Sequence, residues 1–223
     1  MLENHCSTDS PEIAEPVVRA GRPTREQARA RHLALLDCAL KHFLDKGFEA
    51  TTIEAIAADM NMTKRTVYAR YPDKVALFKA ALRRGTEQRA AAPETIAGTR
   101  RESLEETLVA IAMLRIGLVA QDDGARLQRL INTESYRFPE VFQTYYDIAA
   151  LPTVRFLAEL LEAETAAGTL AIQDAMLAAT VFMSMVVSGP VRFIVSGNEL
   201  SSEEVDKRVR FAVRLFLDGA RPR

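Results

Sequence analysis

The sequence predicts an all-α protein in two parts: an N-terminal three-helix head and a larger C-terminal helical body. Three observations predict this. Apolar residues recur at helical spacing from Leu33 to Leu217, and no run alternates as a half-buried strand does. Breakers are few, with 10 Gly and 9 Pro in 223 residues, and they fall between periodic runs or at single bends. Charge is unevenly divided beneath a net charge of -1: residues 19–84 hold 14 Lys and Arg against 7 Asp and Glu, residues 1–18 hold 4 carboxylates and no cation, and residues 85–223 hold 15 cations against 19 carboxylates. A basic module beside an acidic one predicts that a polyanion binds at one end only.

The elements follow in order. Residues 1–20 mix Ser, Pro, Glu and Asp without a period and predict a disordered tail. A first helix runs from Thr24 to Lys46 with Leu33, Leu36, Ala39, Leu40 and Phe43 inward, and Gly47 stops it. A short second helix carries Ile53, Ile56, Ala57 and Met60 at i, i+3, i+4, i+7. Thr51 is its predicted cap, with Glu54 placed for a capping box. Asn61 suits a tight turn because Asn tolerates left-handed backbone. Thr63 caps a third helix whose Val67 faces back toward Ala57. Pro72 ends that helix and Asp73 caps a fourth, which carries Leu77, Phe78, Ala81 and Leu82 toward the body. Residues 90–98 read as a connector.

The body reads as about five helices. Leu104 to Leu118 marks one, and Leu127, Leu130 and Ile131 mark a shorter one. A long helix follows Pro139 through Leu161 with a bend expected at Pro152. An apolar helix follows Asp174 with a kink expected at Pro190. The last follows Ser201-Ser202-Glu203-Glu204. The expected domains are the tail at 1–20, a helix-turn-helix head at 21–85, and a body at 86–223.

The third helix sends outward Lys64, Arg65, Thr66, Tyr68 and Arg70: cations and hydroxyls with no carboxylate. That set suits a groove lined with phosphates and base edges. Thr52 and Lys74 stand at helix N-termini, where backbone phosphates are expected to dock, and Thr63 leads the recognition helix. Arg22 and Arg25 either reach a minor groove or form a loose solvated arm.

The head resembles the DNA-binding domain of the TetR/AcrR family of bacterial transcriptional regulators. The resemblance rests on Gly21-Arg22-Pro23, Gly47-Phe48, Thr51-Thr52, Ile56-Ala57, Tyr68-Ala69-Arg70-Tyr71, Lys74 and Leu77-Phe78, in order and at fixed spacing over about residues 21 to 80. Asn61, Met62 and Thr63 replace the usual Gly, Val or Ile, and Ser; Arg70 replaces a common His or Tyr. The resemblance implies that Tyr68 contacts a phosphate. In the body, Arg137-Phe138-Pro139-Glu140 and the Ser188-Gly189-Pro190 kink resemble an AcrR-like subgroup.

The resemblance further implies a homodimer, double-stranded operator DNA as partner, and a small-molecule effector inside the body. Met113, Phe138, Phe142, Tyr145, Tyr146, Phe182 and Met183 are the candidate effector-binding residues, since Met and aromatic side chains suit adaptable apolar pockets. Arg115, Asn132, Glu134 and Tyr136 are candidates for its polar contacts, with plain surface the alternative. Val205, Val209, Val213 and Phe216 form a stripe on the last helix expected to meet a second subunit. The expected function is a repressor released from a palindromic operator by a small apolar effector. The alternatives are a DNA-binding regulator without an effector and a helical-bundle enzyme.

No Gly-rich phosphate loop, zinc signature or nucleophile elbow is present, so neither a cofactor nor catalysis is expected. His5, His32 and His42 show no ligand spacing, and no metal is expected. Cys6 and Cys38 make no disulfide framework. The most apolar run, Met176 to Val195, is interrupted by Ser184, Ser188, Gly189, Pro190 and Arg192 and is not read as a membrane span. With a polar, acidic N-terminus, the expectation is a cytoplasmic protein.

Overall fold

Helix capping sets the architecture. A computed structural model describes residues 24–121 and 123–222. The expectations for the tail, for Arg22 and for Cys6 and His5 lie outside the described residues. Twelve α-helices are found among those residues: α1 (Arg25–Ala50), α2 (Ile53–Asp59), α3 (Lys64–Tyr68), α4 (Lys74–Arg89), α5 (Pro93–Ala97), α6 (Leu104–Ala120), α7 (Gly124–Glu134), α8 (Pro139–Tyr145), α9 (Leu151–Ala166), α10 (Ala175–Val186), α11 (Ser188–Val195) and α12 (Ser202–Ala220). A π-helical turn, Tyr146–Ala150, joins α8 to α9. Thr24 and Gln27 close a capping box on α1, Thr63 and Asp73 cap α3 and α4 as expected, and Ser201 caps α12. Gly47, at φ 75° and ψ 175°, takes the backbone out of helical geometry where the sequence predicted a stop.

Thr51 does not cap α2. It is buried, and its hydroxyl lies 3.0 Å from the His42 carbonyl and 2.7 Å from that of Gly47. It therefore serves the orphan carbonyls at the end of α1. The cap falls one residue later, on Thr52, whose hydroxyl oxygen accepts from the Ala55 N–H at 3.2 Å.

The head packs around Phe43, Phe48 and Phe78, whose rings meet edge-on at 4.9 Å between Phe43 and Phe78 and again between Phe48 and Phe78. Ile56 and Val67, both fully buried, bring α2 and α3 onto this centre. The same apolar cluster continues into Leu127, Leu130 and Ile131 of α7 and Val141 of α8. Head and body thus share packing rather than meeting at a polar seam.

The second core lies among α6, α9, α10 and α12, with Leu108, Ile111, Leu157, Leu161 and Phe182 at its centre. It corrects two expectations. Phe182 is fully buried against Phe216, ring centres 5.1 Å apart, and Met113 packs against the same core; neither lines a cleft. Val205, Val209 and Val213 are buried here too, covered by their own subunit rather than left for a second one.

Both proline expectations need refinement. Pro152 stands in the first turn of α9, and the irregularity precedes it: the Leu151 N–H reaches back to the Tyr146 carbonyl, an i to i−5 bond. Pro190 likewise stands inside α11, and the chain breaks at Val187, bending α10 against α11 by 41°. A proline ring clashes with the carbonyl four residues earlier, which places the disturbance upstream of the ring. Among the described residues no single helix is long and apolar enough to cross a membrane.

Gly124 is required by close approach. A Cβ there meets the carbonyl oxygens of Leu118 and Val119 at 2.6 and 2.7 Å, and these are backbone atoms that cannot rotate away. Gly124→Ala is expected to cost about 1–3 kcal/mol by overpacking, or roughly 2–12 °C in Tm for a chain of this size. A thermal unfolding curve superimposable on wild type would show that the α6–α7 turn relaxes freely.

Candidate nucleic-acid interface and effector cleft

Asn61 adopts φ 50°, and Arg31 donates to its carbonyl at 3.4 Å, bracing the turn between α2 and α3. Val67 anchors α3 inward, which fixes what faces outward. Thr63 and Thr66 are occupied locally: the Thr63 hydroxyl accepts from the Thr66 N–H at 3.2 Å and bonds the Thr66 hydroxyl at 2.8 Å. Lys64 pairs with Glu54 of α2 and stands 5.6 Å from the Tyr68 ring centre. That pairing holds the Glu54 carboxyl below its ordinary range and raises the Lys64 ammonium. Arg65 and Arg70 are exposed and make no ion pair among the described residues, and Tyr68 is exposed beside them. Arg25, in the first turn of α1, is also exposed.

Lys74 departs from expectation. Its ammonium donates to the carbonyls of Phe48, Glu49 and Thr51 at 2.9, 3.2 and 3.1 Å and sits 4.4 Å from the Phe48 ring centre. All three N–H donors are spent closing the α1–α2 connection, so this side chain is not free for a phosphate. Thr52, exposed at the start of α2, keeps a place where a phosphate can approach. Lys74→Gln is expected to lower stability by about 1–3 kcal/mol and to leave the salt slope of DNA binding unchanged. A slope reduced by about 1 with wild-type stability would return Lys74 to the phosphate contacts.

Two histidines have partners that sequence reasoning missed. His32 stacks on Tyr71, ring centres 6.0 Å apart, and burial, aided by Arg70 and Arg84, lowers its pKa. His42 bonds Asp59 at 2.7 Å and so ties α1 to α2. Cys38, one helical turn before His42, brings its sulfur within 4.8 Å of these two donor groups. The sequence offered the i, i+4 pair of Cys38 and His42, but not Asp59, which arrives from α2.

The run Arg137–Glu140 forms the joint between head and body. The Arg137 guanidinium pairs with Glu49 and lies 5.2 Å from the ring centres of both Phe48 and Phe138. Phe138 meets Phe48 edge-on at 5.1 Å, and Glu140 accepts from Lys79 of α4. Phe138 is therefore a hinge-packing residue and not, as expected, a pocket wall. Glu134 sits here too: burial raises its carboxyl pKa, partly offset by Lys74 and a backbone contact with Phe48.

Immediately beyond this joint, a cleft of about 610 Å³ opens between α6, α7, α8, α10 and α11. Of the candidates, Phe142, Tyr145, Tyr146 and Met183 line it. Arg115, Asn132 and Tyr136 join them, so three of the four polar candidates are brought together. Gln128, Thr180, Ser184 and Arg192 line it as well and were not anticipated. Its size and mixture of aromatic and polar walls suit a drug-sized ligand.

A helix-turn-helix head with exposed cations, packed onto a helical body that holds a cleft, defines a DNA-binding regulator. The chain belongs to the TetR family of bacterial regulatory proteins. The family's N-terminal model matches residues 35–81, and the model described as "AefR-like transcriptional repressor, C-terminal domain" matches residues 106–219. The solved Flavonoid-responsive Regulator FrrA is 30% identical, with a TM-score of 0.66 over 88% of this chain and 99% of that one. A TetR-family regulator from Mesorhizobium loti shares the fold at a TM-score of 0.73 and 23% identity, over 90% of this chain and 100% of that one. The HTH-type transcriptional regulator YvkB of Bacillus subtilis is 23% identical, covering 89% of this chain and 97% of its own.

Proposed function

We propose that the protein is a cytoplasmic homodimeric repressor whose α3 helices enter successive major grooves of a palindromic operator, and that a small, largely apolar effector in the cleft weakens this binding. The observation that carries the reading is the surface of α3. Arg65 and Tyr68 stand exposed on a helix whose other face is locked by Val67, Arg70 stands exposed in the turn that follows it, and none of the three has a carboxylate partner among the described residues. Such a set has a polyanion as its natural complement.

The effector reading is supported by what adjoins the cleft. Phe142, Tyr145 and Tyr146 follow directly on the Arg137–Glu140 joint, so a ligand that shifts α8 bears on α1 and α4 through Phe138, Arg137 and Glu140. The effector acts only by its difference in affinity between the operator-bound and released geometries. FrrA is a flavonoid-responsive regulator, which makes flavonoids the first compounds to try. The finer placement, in an AcrR-like subgroup, rests on Arg137–Glu140 and the Pro190 kink.

The dimer reading rests on a different stripe from the valines. Leu177, Val181 and Met185 of α10 and Leu215 and Phe216 of α12 border one shallow apolar groove, and the first four are exposed. Such a face suits a self-complementary pairing of α10 and α12 across a two-fold axis.

The test is a gel shift with the DNA upstream of the protein's own gene, repeated with flavonoids. Specific retardation that a flavonoid reverses supports the whole reading. Retardation no stronger than that of unrelated DNA would defeat it.

A further inference from the structure

Arg115 of α6 is only 6% exposed, yet no carboxylate pairs with it among the described residues. Its Nη1 donates to the Ala149 carbonyl of the π turn at 2.7 Å, and its Nη2 donates to the Tyr145 hydroxyl at 3.3 Å. Its buried Nε has no hydrogen-bond partner among the described residues. Both partners it does have are neutral. A guanidinium taken out of water is normally compensated by an anion, because desolvation removes more than neutral acceptors return. Arg115 lines the cleft; among the described residues Arg192 is the other charged residue in the lining, and no Asp or Glu is part of it. The cleft thus presents an apolar, aromatic wall with a buried, uncompensated cation.

We infer that the ligand of this cleft is an amphiphile with an apolar, ring-sized body and an anionic head, and that the head sits on Arg115. This rests on the reading of the cleft as the effector site and names the chemistry that site selects. The carboxylate or other oxyanion accepts from the free donors of Arg115, and the Tyr145 hydroxyl, already accepting from Nη2, turns its hydrogen toward the same anion. The body lies against Phe142, Tyr146 and Met183. Arg115 also holds the π turn through Ala149, so an anion that draws it away loosens the connection between α8 and α9. Chemical class thereby enters the coupling path at its first step.

The test uses two fluorescent probes with one ring system, anilinonaphthalene sulfonate, a permanent anion, and phenylnaphthylamine, which is uncharged. Each is titrated into the full chain and into Arg115→Met. The wild type is expected to bind the sulfonate at least about tenfold more tightly than the amine, as a charge-assisted contact in a poorly hydrated site requires. Arg115→Met is expected to abolish that preference while holding amine affinity within about twofold. A second measurement needs no variant: naphthalene carboxylate is expected to displace the amine from wild type at a concentration at least about tenfold below that of naphthalene carboxamide. Equal binding of the two dyes, or equal displacement by acid and amide, overturns the anion assignment and leaves the effector cleft standing. Binding of neither dye overturns both.

Discussion

Operator affinity is expected to fall by about 10³- to 10⁵-fold between 50 and 200 mM salt if the dimer contacts roughly 6 to 10 phosphates. The magnitude follows from counterion release, and the sources of charge are named by the structure. Arg65 and Arg70 are exposed and make no ion pair among the described residues, whereas Lys64 is already paired with Glu54 and Lys74 is spent on three carbonyls. Exposed pairs such as Lys64–Glu54 are weak, so DNA can take Lys64 from its partner, but Glu54 is then left facing the phosphates. The variants should therefore rank. Arg70→Ala is expected to reduce the salt slope by about 1 across all sequences, as a phosphate contact does. Arg65→Ala is expected to cost about 1–3 kcal/mol and relax base choice if it reads a base edge. Lys64→Ala is expected to do less than either. A salt titration of fluorescence anisotropy with operator and scrambled duplexes reads all three, and a flat response from wild type would remove phosphate binding from the account.

The parts of the fold written in local chemistry were legible. Thr24, Asp73 and Ser201 announce helix starts by side-chain bonding to their own next turn, and Asn61 announces its turn by tolerating left-handed backbone. What depends on which neighbour arrives was not legible. Thr51 and Thr52 are equally good caps in isolation; the choice was made by the open carbonyls of α1. Lys74 at a helix start reads the same whether it meets a phosphate or three carbonyls. Phe138 reads as an aromatic near other aromatics, and only the packing of α8 on the head shows that its partner is Phe48. Beyond Glu105 and Glu106 in its first turn, Arg115 is the one charged residue of the helix Leu104–Ala120, and that isolation among apolar neighbours was the available signal for a buried charge with a task.

A matched pair of substitutions on the last helix tells its core stripe from its interface stripe. Helix α12 has two apolar stripes. Val205, Val209, Val213 and Leu217 recur every four residues and are buried in the subunit's own core. Phe211 and Leu215 recur on another face and are 71% and 57% exposed. On α10 the same division holds: Phe182 and Val186 are buried, while Leu177 and Val181 are 60% and 50% exposed. A single sequence shows that a helix is apolar on one side but not whose atoms cover it, so the buried valine stripe and the exposed stripe read alike. Leu215→Asp places a charge on the exposed stripe, twice per two-fold interface, where desolvation opposes assembly. It is expected to give folded monomers by sedimentation and circular dichroism, and those monomers should lose operator binding because only one half-site is contacted. Val209→Asp places the charge in the core, where an uncompensated ion costs about 3–5 kcal/mol. It is expected to unfold or aggregate the chain and not to yield a soluble, well-folded monomer. A folded monomer from Val209→Asp, together with an intact dimer from Leu215→Asp, would return the valine stripe to the interface.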